Sequence, residues 1–148
     1  MKNCMVSFLI LFLLVIPVYS YAGNAIAGWN FDITGVSAEG TAVDVAVCSH
    51  SNQGLNGPVM VICNVKGRDF KKDKVHLNSG ECRTIRFDIP SELLFPTYEA
   101  ARKIAGSKPP AGFHSENVNV SIKGGGIGGV GYGLWQFDYW SGKLQFQY

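Results

Sequence analysis

Apolar residues recur at every second position along most of this chain, and that period constrains its fold more than any other feature. Val43, Val45 and Val47 are separated by Asp44 and Ala46. Ile85, Phe87 and Ile89 alternate with Arg86 and Asp88, and Val118, Val120 and Ile122 alternate with Asn119 and Ser121. Trp29, Phe31 and Ile33 repeat the pattern around Asn30 and Asp32. A strand points successive side chains to opposite faces, so each run reads as a half-buried strand. Val59 to Val65 is apolar at both parities and reads as a central strand covered on two sides. A short strand is expected at Lys74 to Leu77. Turn signals lie between these runs at Ala38-Glu39-Gly40, Ser49 to Gly57, Gly67, Asn78-Ser79-Gly80 and Pro90. One segment departs from the pattern. Pro96 to Ala105, with proline in its first turn and Gly106 after its last, predicts a short helix over 96–105. Short strands at roughly ten-residue spacing with a single helix predict an all-β chain, an antiparallel sandwich.

The first 22 residues read as a secretory signal: Lys2, then an uncharged apolar run from Met5 to Val18, then small residues at Ser20 and Ala22. The run is shorter than the roughly 20 residues a spanning helix needs, and Pro17 interrupts it. Residues 1–22 are therefore expected to be removed, leaving 23–148 as one domain in a secreted or periplasmic setting, with no stable membrane insertion. The formal net charge of +2 includes Lys2 and gives no basic footprint for nucleic acid. The local run Arg68 to Lys74 is interleaved with aspartates and reads as a solvated turn.

From Thr41 to Pro90 the chain resembles the immunoglobulin-like, CARDB-like cell-adhesion-related domains of bacterial surface proteins. The resemblance lies in Val43-Asp44-Val45-Ala46-Val47 before a polar loop, Gly57-Pro58-Val59-Met60-Val61 after it, and Leu77-Asn78-Ser79-Gly80-Glu81 leading into Ile85-Arg86-Phe87. It implies an immunoglobulin-like sandwich of the kind used as a module in larger adhesive or enzymatic proteins. Signal removal leaves Cys48, Cys63 and Cys82, an odd number in an oxidising compartment. Cys48 and Cys82 both have outward parity. If their strands are antiparallel neighbours, as in an immunoglobulin-like sheet, the end of one meets the start of the other. That favours Cys48 with Cys82, while Cys48 with Cys63 and Cys63 with Cys82 stay open.

Catalytic and metal signatures are scarce. His50, His76 and His114 show no ligand spacing, and Cys48-Ser49-His50 and His114-Ser115-Glu116 place neighbours on opposite faces of an extended chain. Gly124 to Gly129 lacks the Lys-Ser/Thr of a phosphate loop, so no cofactor is implied. Asn119-Val120-Ser121 fits a glycosylation acceptor. The aromatic tail Tyr132 to Tyr148 reads as a C-terminal hairpin about Ser141-Gly142. In that register Trp135, Phe137, Tyr139, Leu144, Phe146 and Tyr148 face the core, Asp138 lies opposite Gln145, and Trp140 pairs with Lys143 on the polar face. Trp140, Lys143 and Asp138 are thus the candidate binding residues, and the chain reads as a non-catalytic binding or adhesion module for a protein or glycan partner. A secreted enzyme or enzyme inhibitor with a loop-built site, and a small outer-membrane barrel, are the alternative readings.

Overall fold

A computed structural model describes residues 28–55, 58–106, 112–124 and 136–148. The expected signal, Trp135 and most of the glycine-rich stretch lie outside the described residues. The elements are β1 (Phe31–Glu39), β2 (Ala42–Ser49), β3 (Val59–Val65), β4 (Arg68–Val75), β5 (Cys82–Asp88), α1 (Ser91–Leu94), α2 (Pro96–Ala105), β6 (Phe113–Gly124) and β7 (Gln136–Gln147). They form two antiparallel sheets, β1-β2-β5 and β4-β3-β6-β7, packed as an immunoglobulin-like sandwich. Among the described residues there are two separate sheets and no closed barrel.

The alternating residues meet between the sheets. Val43, Val45 and Val47 from β2, Val59, Val61 and Val65 from β3, and Val118, Val120 and Ile122 from β6 are all fully buried. Burial removes apolar area from water at about 25 cal/mol per Å², which drives the two faces together. Branched side chains at these positions suit a pleated, covered surface. β3 is central within its sheet, but Met60, Ile62 and Asn64 on its other face are only half-buried, so it is covered on one side.

Three further regions differ from their sequence patterns. Arg68 to Lys74 is the edge strand β4, reached through a two-residue turn in which Lys66 (φ 51°) and Gly67 (φ 75°) both take left-handed backbone. Its charges do not mark a turn, because an edge strand with little covering it needs no apolar period, and lysines there discourage pairing with another chain. The strand expected at Lys74 to Leu77 begins earlier and ends at Val75. The C-terminal hairpin is absent: β7 runs unbroken through Ser141 and Gly142, which pair with Asn119 and Val118 of β6.

The predicted helix is present with the expected bounds, and Gly106 closes it in left-handed backbone at φ 64°. With α1 it carries the chain from one sheet to the other. Leu94 and Phe95 are buried against the sandwich end, Phe95 edge-on to Tyr98 and Tyr148 at 5.8 and 5.3 Å. The disulfide joins Cys48 and Cys82, directly opposite each other on β2 and β5. Cys63 is a free, fully buried thiol whose pKa burial pushes up to about 12. It behaves as a small core hydrophobe.

Candidate recognition face of the four-stranded sheet

A continuous β7 reverses the parity of half the tail. Trp140, Gly142, Leu144 and Phe146 face inward, and Tyr139, Ser141, Lys143 and Gln145 face outward. The three predicted binding residues are therefore not brought together. Trp140 packs against the core over Gly142, where an added Cβ would stand 2.6 Å from the indole. Lys143 lies on the outer face, three residues along the same strand rather than across from it.

Asp138 has a structural post. A bulge between Ile122 and Lys123 leaves Phe137 as an extra residue and turns Asp138 inward opposite Ile122. The Asp138 carboxylate accepts hydrogen bonds from the backbone N–H groups of Ile33, at 2.7 Å, and Tyr139, at 2.8 Å. Ile33 begins the bulge of β1, so the carboxylate joins the edge of one sheet to the edge of the other. Phe137 completes the seam, edge-on to Phe31 at 5.2 Å and stacked on Trp29 at 6.4 Å.

The outer face of the four-stranded sheet carries a row of polar residues in register: Asp69, Asn64, Asn119 and Ser141. Asn64 Nδ2 donates to Asp69 at 2.7 Å. The Asn119 Oδ1 oxygen accepts from Ser141 Oγ at 2.7 Å and from Tyr139 Oη at 3.0 Å. With that oxygen used twice, its amide nitrogen makes no hydrogen bond among the described residues and is a free donor at the surface. Tyr139 is 52% exposed beside it, in the adjoining row with Ser121, Ile62 and Lys71.

The outer face of the other sheet is different in kind. Arg86 binds the Glu39 and Asp44 carboxylates at 2.9 and 3.1 Å and lies 3.8 Å from Asp88, so this face carries one guanidinium among three carboxylates and stays acidic. The hydrogen bond that Arg86 donates to Glu39, with Asp44 close by, raises the Arg86 pKa further.

The histidines are scattered. His50 pairs with Asp32 at 3.1 Å near the start of β1, and His114 with Glu116 at 3.0 Å on β6. The hydrogen bond from His114 holds the Glu116 carboxyl below the usual range, aided by the Asn117 backbone N–H and Lys66. No group of three or more metal-ligating side chains occurs among the described residues. No protein-family profile, curated protein or solved structure matches the chain.

The amide and hydroxyl row on β6 and β7 is hidden in the sequence by the turn chemistry of Ser141-Gly142. A hairpin register would have turned Tyr139 inward and broken its link to Asn119. The signal that could have found it is the strict alternation of Asn117, Asn119 and Ser121 with the buried valines.

Proposed function

We propose that this protein is an exported, non-catalytic binding module of the adhesion type, and that it recognises a protein or glycan partner through the outer face of its four-stranded sheet. The observation that carries this reading is the contrast between the two outer faces. One centres on an acidic cluster around Arg86; the other offers a half-exposed tyrosine, a free amide donor on Asn119 and the Lys143 ammonium on a paired sheet. Amides and hydroxyls held in fixed geometry lose little freedom on binding, and a tyrosine ring supplies contact area with few rotors. Hydroxyl-rich ligands such as glycans suit this composition. The disulfide fits an oxidising compartment, and among the described residues no helix is long and apolar enough to cross a membrane.

The test is binding to a glycan array and to envelope and host-surface protein fractions, with Tyr139→Ala, Asn119→Ala and Lys143→Glu compared against Thr84→Ala on the other sheet. The first three should each weaken a specific interaction at least tenfold while Thr84→Ala leaves it unchanged. Equal binding by all four variants would overturn the placement on this face.

A further inference from the structure

At the end of the sandwich where the helices sit, a cleft of about 340 Å³ opens between the β1–β2 turn, the helices and the end of β7. Its floor is Glu99, a carboxylate on α2 that is only 4% exposed. One oxygen, Oε1, accepts from Ser91 Oγ at 2.8 Å and from Tyr148 Oη at 3.0 Å. The other, Oε2, is fully buried and has no aligned hydrogen-bond donor among the described residues. Arg102 lies over it with Nη2 at 3.1 Å, but this guanidinium is half-exposed and covers the oxygen without an aligned bond.

The Ser91 hydrogen bond, then those of Tyr148 and the charge of Arg102, keep the Glu99 carboxyl ionised below the usual range despite burial. Oε2 is held by the charge of Arg102 rather than by an aligned hydrogen bond, which leaves it able to accept a donor when the guanidinium moves. Tyr148, Thr41 and Gln147 form the remaining walls, and Gly40 leaves open space above its backbone.

The charges at the site cancel. A cationic ligand would be set against Arg102, and an anion against Glu99. A neutral ligand with hydroxyls on neighbouring carbons meets both once the guanidinium moves aside: one hydroxyl donates to Glu99 Oε2 while the next accepts from Arg102. We propose that this cleft is a binding site for a neutral vicinal diol of the sugar class, with Arg102 swinging from Oε2 to admit it and Tyr148 forming a wall. The site is independent of the sheet face, since it shares neither Tyr139, Asn119 nor Lys143.

The experiment is a titration of the signal-free chain, isotope-labelled for NMR, with D-glucose, D-mannose, N-acetyl-D-glucosamine and, as charged controls, sodium acetate and methylguanidinium chloride. At least one sugar should give saturable shifts at the backbone amides of Glu99, Arg102 and Gln147. Arg102→Ala should weaken that binding at least tenfold, while Tyr139→Ala leaves it unchanged. Arg102 covers the buried Glu99 oxygen, so Arg102→Ala is read only with an amide spectrum unaltered elsewhere, and Arg102→Lys, which keeps a charge beside Glu99 but loses the guanidinium fork, should weaken binding as well. No saturable shift with any sugar, equal binding by Arg102→Ala, or saturation by acetate or methylguanidinium alone would each overturn the proposal.

Discussion

Asp138 of β7 accepts a 2.7 Å hydrogen bond from the backbone N–H of Ile33 in β1, and this bond links the two sheets at the edge where they adjoin. The same carboxylate holds the Tyr139 N–H, so the seam also fixes the strand that carries the proposed recognition row. Removing the side chain leaves two backbone donors short of their partner. Asp138→Ala should cost about 1–3 kcal/mol. Asp138→Asn, which retains an acceptor oxygen, should cost less. Urea denaturation of the two variants checks the order; equal losses would show that the carboxylate is not bridging the sheets.

Trp140 is held inward by the unbroken course of β7, with its indole over Gly142. Trp140→Ala should therefore destabilise by about 2–3 kcal/mol, less than the roughly 3–5 kcal/mol expected for the fully buried Phe146→Ala. Gly142→Ala should also destabilise, because its new Cβ would stand 2.6 Å from the ring. Thermal melts of the three variants test this, and a Trp140→Ala variant as stable as wild type would restore the hairpin register.

Oxidised Cys48–Cys82 closes a loop with a sequence separation of 34. Reduction should lower stability by about 3–4 kcal/mol if the chain-entropy account holds. Cys63, with its thiol pushed up to about 12 by burial, should resist iodoacetamide at pH 8 until the protein unfolds. Mass mapping with and without denaturant reads both outcomes. Alkylation of Cys63 in the native state would contradict its burial.

Acid should weaken the fold through particular carboxyls. Glu81 is held down first by the Asn78 backbone N–H, Glu99 by Ser91, and Glu116 by His114. A carboxyl whose folded pKa lies below its unfolded value of roughly 4.3 gives stability that is fully present above that value and is lost as pH falls through the folded one. The melting temperature should thus hold from pH 7 to about 5 and fall below it. Glu116→Gln should make the fall shallower. A steeper fall in that variant would reverse the assigned sign.

The core was legible in the sequence because Val43, Val45, Val47, Val118, Val120 and Ile122 face a single interior, and a one-residue slip would expose every one of them. The disulfide was legible for the same reason, since parity placed Cys48 and Cys82 on one outer face. β7 was not. Ser141-Gly142 carries turn chemistry but is crossed by a continuous strand, so Tyr139 and Trp140 exchanged faces, while the bulge near the start of β7 keeps Phe137 at the seam. Glu99 was silent because its partners are tertiary: Ser91 and Tyr148 reach it only once α2 is laid against the end of β7.

The central claim is that recognition uses the outer face of the four-stranded sheet. It is tested most directly by placing a photo-crosslinking amino acid at Tyr139 and, separately, at Thr84, in the cells that make the protein. Crosslinking from position 139 to one defined partner or glycan, with none from position 84, is the predicted result. A defined adduct from position 84 with none from position 139 would contradict it.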